Sequence, residues 1–165
     1  MITLSDAVPD DVPAIAELAA EMDQFYGAAE LDPVEIRQRQ IEAALFSGPS
    51  AARALLAWEG GKLIGFAAYS FLWPAVGLTG SLYLKELYVS ASARRAGVGD
   101  MLMRGLFKIA VKAGCSRVEW TTDEDNGDAQ AFYDALGVRP ATSKIFYRVA
   151  GEELAAAARL PHRAD

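Results

Sequence analysis

The spacing of apolar residues changes several times along the chain, and each change marks an element. Residues 2–4 read as a short strand. Ile15, Leu18, Ala19 and Met22 then recur at the three-and-four spacing of one helix face. Pro9-Asp10-Asp11 is a start signal for that helix, with an aspartate cap and Pro13 in the first turn, and the helix ends near Gly27. Asp32-Pro33 opens a second helix, with Ile36, Ile41, Leu45 and Phe46 mostly on one side. After the loop Gly48-Pro49-Ser50, residues 54–58 and 62–71 read as strands joined by Glu59-Gly60-Gly61, a hairpin signal. A turn region runs from Trp73-Pro74 to Gly80, and residues 82–89 form the next strand. Val98, Leu102, Leu106, Ile109 and Ala110 give a helix over 98–113, ended by Gly114.

A strand over 116–121, a polar loop over 123–127 and a short helix over 129–136 closed by Gly137 follow. Residues 144–149 read as a last strand. With no internal repeat or linker, residues 1–150 are expected to be one domain. Residues 151–165 are expected to be an alanine-rich tail, helical and then disordered. The class is an α/β mixture, with antiparallel hairpins first and a helical crossover after them.

Composition narrows the chemistry. The 165 residues are 52% hydrophobic and 23% charged, a globular balance. A net charge of -6 argues against nucleic acid or anionic membrane as partner. No apolar run is long enough to span a bilayer, and the first residues lack the basic start of a signal peptide, so a soluble, cytoplasmic protein is expected. The lone cysteine, Cys115, excludes an intramolecular disulfide and fits a small buried apolar residue better than a nucleophile. The lone histidine, His162, lies in the last few residues, which argues against a metal site and against Ser-His catalysis.

Arg94-Arg95-Ala96-Gly97-Val98-Gly99 stands at the joint between a strand and a helix. A helix N-terminus presents unpaired N–H groups and the positive end of the helix dipole, and glycines let a ligand approach the backbone. The segment can hold a pyrophosphate. On the motif alone, a plain turn with two solvated arginines is an equal reading. No Lys-Ser/Thr follows as in a P-loop, and residue 102 is Leu where a dinucleotide fingerprint has a third glycine.

Two motifs together resemble the GCN5-related N-acetyltransferase (GNAT) superfamily. Arg94-x-x-Gly97-x-Gly99 matches the Gln/Arg-x-x-Gly-x-Gly/Ala signature and follows a strand of the expected kind. Asn126, Ala129, Phe132, Tyr133 and Gly137 match the second motif, and Gly65 fits the family's Gly-Phe strand. The resemblance implies a mixed, mostly antiparallel twisted sheet of six to seven strands flanked by about four helices. It implies acetyl-CoA as cosubstrate and no metal. Backbone amides of Arg95, Ala96, Gly97, Val98, Gly99 and Asp100, with the Arg94 side chain nearby, would bind the pyrophosphate. The strand edge with Leu87, Tyr88 and Val89 would bond the pantetheine arm, and the N–H near Val89 would polarise the thioester carbonyl. Asn126, Ala129 and Phe132 would flank the pantetheine, and Tyr133 would protonate the departing thiolate. Many members pair as dimers, so a homodimer is possible, for which Ile145-Phe146-Tyr147 or the tail could serve.

Glu86 is the candidate base. The branch resembling diamine and polyamine acetyltransferases carries "YLEDFFV" on this strand, where this chain has Tyr83-Leu84-Lys85-Glu86-Leu87-Tyr88-Val89. Lysine thus stands at the first acidic position, and strand alternation predicts that Glu86 faces the other way. The acceptor pocket is expected from the first two helices, their loop and the strand-connecting turn, which contain Glu21, Phe25, Glu30 and Asp32. Asp23, Tyr26 and Trp73 are the candidate contacts there, acids and aromatics that suit an ammonium group. The implied function is acetyl transfer to a primary amine of a small molecule by direct attack in a ternary complex. The alternatives are a protein or peptide N-acetyltransferase and a non-catalytic coenzyme A-binding sensor.

Overall fold

The computed structural model describes residues 1–159. β1 (Ile2–Asp6) leads through a 3-10 turn into α1 (Val12–Phe25), which buries Val12, Ile15, Ala16 and Leu18. The Asp11 carboxylate does not cap α1; it turns back to accept the Val8 N–H at 2.9 Å. α2 (Val34–Phe46) buries no residue fully, and an ion pair of 2.8 Å between Arg37 and Asp23 ties it to α1. β2 (Ala52–Glu59), β3 (Lys62–Leu72) and β4 (Gly80–Val89) continue the antiparallel run begun by β1. α3 (Val98–Lys112) then crosses over, so that β5 (Cys115–Glu119) lies parallel to β4. The strand order is β1-β2-β3-β4-β5.

Leu56, Phe66 and Tyr88 stand in one cross-strand row and pack with Ile15 and Leu18 of α1. Val98, Leu102, Met103 and Leu106 bury the apolar face of α3. Gly65 permits the close approach of α3: a Cβ there would meet Val98 Cγ1 at 3.0 Å and the Tyr88 carbonyl oxygen at 3.1 Å.

Among the described residues the sheet has five strands, not six to seven. Residues 144–149 are not a strand in the described chain, and Ile145, Phe146 and Tyr147 are exposed. β-branched and aromatic residues favour a pleated, half-buried surface, and that preference is realised only beside a pairing strand. Residues 1–125 form one compact unit, and a second begins at Asn126. In the second, α4 (Gly127–Ala135) is capped by Asn126, whose side-chain oxygen accepts the Ala129 N–H at 3.1 Å. α5 (Gly151–Ala157) supplies the helix expected in the tail. The expected disordered end of the tail and His162 lie outside the described residues.

Candidate active site

β5 pairs with β4 only from Gly80 to Tyr83 and ends at Glu119. Among the described residues, the edge of β4 on that side has no strand beside it over residues 84–89. Leu87, Tyr88 and Val89 lie in this open stretch, where backbone N–H and C=O groups can pair with an extended ligand as they would with another strand.

The joint that follows is a tight cradle. Arg95 has φ 64 and Gly97 φ 80, two left-handed residues separated by Ala96. Left-handed geometry costs roughly 1–2 kcal/mol at a residue with a Cβ, and such turns aim successive N–H groups inward as an anion concavity. Gly97 is the N-cap of α3, and no side chain caps that end. The first-turn N–H groups of Val98, Gly99 and Asp100 therefore face outward as donors. A Cβ built on Gly97 meets nothing within 4 Å, so the approach is open. Asp100, an acid beside an anion cradle, is neutralised by Arg104 at 2.7 Å. These features fit a pyrophosphate. Arg94 is engaged elsewhere: its Nε–H donates to the Val89 carbonyl at 3.3 Å, and its guanidinium lies 4.3 Å from the centre of the Phe25 ring.

Counted from Leu84, Glu86 does not follow strand alternation, although it alternates normally with Leu87 and Tyr88. Between β3 and β4 the register steps from Ala68↔Glu86 to Tyr69↔Leu84, which leaves Lys85 as an extra residue in a β-bulge. Cross-paired residues share a face, so Glu86 lies with Ala54 and Ala68 on the side of the sheet that carries α1. There its Oε1 accepts the hydroxyl of Tyr26, the residue that ends α1, at 3.2 Å. Burial pushes the Glu86 carboxyl above the ordinary range and nearby Asp123 adds to this. The Tyr26 hydroxyl, the Leu87 N–H and Lys85 pull the other way without cancelling it.

A second carboxylate stands close by in the fold. Glu21 of α1 accepts from the Tyr88 hydroxyl at 3.0 Å, the Ser90 hydroxyl at 3.1 Å and the Ala91 N–H at 2.7 Å. Burial raises its pKa, but these three donors and the charge of Lys62 outweigh it and hold the carboxyl below the ordinary range. Phe25 links the two acids' surroundings, with ring centres 5.3 Å from Tyr26 and 6.1 Å from Tyr88.

Tyr26, Glu86, Tyr88 and Arg94 are thus brought together, and two expected contacts are not. The Asp23 carboxylate is taken by Arg37, whose side chain is 13% exposed. Trp73 sits in the β3–β4 turn, donating its ring N–H to the Leu78 carbonyl at 2.9 Å. Its end of β4 is six residues from Glu86, about 20 Å along a strand. Ser90 was not found from the sequence: a serine closing a strand is a common turn residue, and only its burial marks it. In the second unit, the Phe132 and Tyr133 rings lie tilted against each other on α4 with centres 5.2 Å apart, nearly two turns from the Asn126 cap.

A cavity of about 360 Å³ lined by Asp6, Leu45, Ser50, Arg53 and Tyr69 shares none of these residues. Among the described residues no group of three or more His, Cys, Asp or Glu could hold a metal, and no helix is long and apolar enough to cross a membrane.

The model of the acetyltransferase (GNAT) family matches residues 15–138, and the chain belongs to that family. It is 29% identical over 96 residues to an L-ornithine N5-acetyltransferase of Arabidopsis thaliana, covering 58% of this chain and 42% of the relative. It is 33% identical over 90 residues to a D-amino-acid N-acetyltransferase of Saccharomyces cerevisiae, covering 54% of this chain and 55% of the relative. The chain thus spans about half the length of these curated relatives. An integron cassette protein from the mobile metagenome of V. cholerae superposes with a TM-score of 0.90 at 29% identity, over 96% of this chain and 98% of that one.

Proposed function

We propose that this chain is an N-acetyltransferase that moves an acetyl group from acetyl-CoA to a primary amine of a small molecule. The observation that carries the reading is Glu86: a partly buried carboxylate with a raised pKa, bonded to Tyr26, on the open stretch of β4. Bound acetyl-CoA supplies a thioester whose acyl carbon forms a bond to the amine nitrogen as its bond to sulfur breaks. An alkyl amine has a pKa of ~10, so most of it is ammonium at neutral pH. Glu86 takes up the proton the nitrogen must lose, and its raised pKa makes it the stronger base. The N–H near Val89 polarises the carbonyl. Amides from Arg95 to Asp100 hold the pyrophosphate, and Asn126, Ala129 and Phe132 flank the pantetheine. Tyr133 gives its proton to the departing sulfur and regains one from solvent.

Tyr26, Phe25 and the Glu86 carboxylate offer aromatic faces and negative charge to a cationic acceptor. Asp23 and Trp73 have no part in this version of the pocket. The relatives' names, for ornithine and for D-amino acids, support an acceptor the size of an amino acid.

The test is free-thiol release from acetyl-CoA against a panel of amines that includes amino acids, polyamines and short peptides. Amine-dependent release is expected, with kcat/KM lowered about 100-fold or more in Glu86→Gln and lowered also in Tyr133→Phe. Binding of acetyl-CoA with no release for any amine would turn the reading to a sensor, and absence of binding would remove it.

A further inference from the structure

Glu21 has no role in the chemistry above, yet it joins residues 70 positions apart in sequence. We infer that Glu21 is a positioning residue, which locks the β4–α3 turn to α1 and so fixes the backbone that receives the acyl thioester. The inference rests on the acetyl-CoA reading of that turn.

The three donors that Glu21 gathers bracket Val89. Oε1 accepts from Tyr88 and from the Ala91 N–H, and Oε2 from Ser90. Tyr88 and Ser90 are 3% and 2% exposed, so water is a poor substitute for the carboxylate. The turn is tied to the sheet as well: the Ser90 N–H donates to the Ile64 carbonyl at 2.9 Å. The Ser90 carbonyl accepts the Ala93 N–H at 2.9 Å and closes the turn that delivers Arg94. Sheet and helix therefore hold the turn from two sides, and the three hydrogen bonds on the helix side all pass through one carboxylate. Three of roughly four lone-pair directions on that carboxylate are already used, so an incoming ammonium has little left to bind. Misplacement of a reacting group by about 1 Å can cost on the order of 100-fold in rate.

Glutamine keeps an acceptor for Tyr88 and Ala91, and its amide can donate to the Ser90 oxygen. Alanine takes the carboxylate from all three donors, leaving the Ser90 hydroxyl only Ser92 at 3.1 Å, and aspartate is one methylene short. The experiment takes wild type, Glu21→Ala, Glu21→Asp and Glu21→Gln through two measurements. One is steady-state kinetics with acetyl-CoA and the best amine. The other is amide hydrogen exchange at Ala91 in the ligand-free protein. Glu21→Ala and Glu21→Asp are expected to lose at least about tenfold in kcat with the amine KM unchanged. Their Ala91 amide should exchange faster, and Glu21→Gln should recover most of both losses. Glu21→Asp carries the comparison if the alanine variant does not fold. Wild-type kcat and slow Ala91 exchange in the aspartate variant would overturn the inference. So would a Glu21→Gln protein whose only defect is a raised amine KM, since that places Glu21 on the acceptor. If wild type neither binds nor turns over acetyl-CoA, the transferase reading fails, while Ala91 exchange still decides the clamp.

Discussion

Glu86 reaches Tyr26 because Lys85 is squeezed out of register. That displacement was not legible in the residues: no glycine or proline marks the bulge, and plain alternation counted from Leu84 sends Glu86 to the opposite face. The glycines of the cradle were legible, because a left-handed N-cap at Gly97 calls for a residue without a Cβ. Arg95, left-handed with a full side chain, carried no such mark. The Tyr26 bond gives the residue scale a pH test. A base must be ionised, so activity should rise with pH through the raised pKa of Glu86. The Tyr26 hydroxyl stabilises the carboxylate and holds that pKa lower than burial alone would. Tyr26→Phe should therefore raise it further and shift the acid limb of the kcat/KM profile to higher pH. A limb that stays in place, or moves down, would separate Tyr26 from the base.

At the scale of elements, the helices and the first hairpin followed from apolar spacing and turn residues, whereas residues 144–149 did not become the strand their composition suggests. A strand is a property of a pair, and a single sequence does not name the partner. The contacts between elements were equally hidden. Asp23 reads as a pocket acid until Arg37 of α2 is seen to hold it. Arg37 is largely buried and its Nε has no acceptor among the described residues. Asp23→Ala should thus cost about 1–3 kcal/mol of stability by stranding the guanidinium. The same variant should keep its kcat and amine KM, whereas a substrate contact would lose affinity and little stability. Gly65 sets the distance between β3 and α3. Gly65→Ala must push against Val98 and the Tyr88 carbonyl, and should lower stability by about 1–3 kcal/mol. A fall in the urea midpoint at constant slope would register that loss.

At the scale of the whole molecule, two short motifs more than twenty residues apart were enough to identify the family, because each serves a ligand geometry that few other folds need. The face that α1 and β4 share was legible only in part. Its members, Glu21, Phe25 and Tyr26 on one helix and Glu86, Tyr88 and Ser90 on a strand and its turn, meet only after the sheet forms. Their side chains are common ones in no fixed pattern. A ligand held by the cradle and by the open edge of β4 binds the folded chain and not the unfolded one. Acetyl-CoA at 100 times its Kd should therefore add about 2.7 kcal/mol of stability. For a chain of this size that is a rise in Tm of roughly 5–10 °C. Equal shifts from acetyl-CoA and from a simple nucleotide would show that the cradle alone is read and the β4 edge is not.

The bulge at Lys85 also bears on how such chains are sorted. A comparison made column by column scores position 85 as an acid replaced by a base, and files the protein among those that have lost it. On the folded strand, one surplus residue moves the next carboxylate around to the helix side, so that its address in space is set by the kink and not by its column. Searches for proton acceptors on this strand should therefore count faces after the irregularity, since a change of one in the numbering and a change of one in the pleat can cancel.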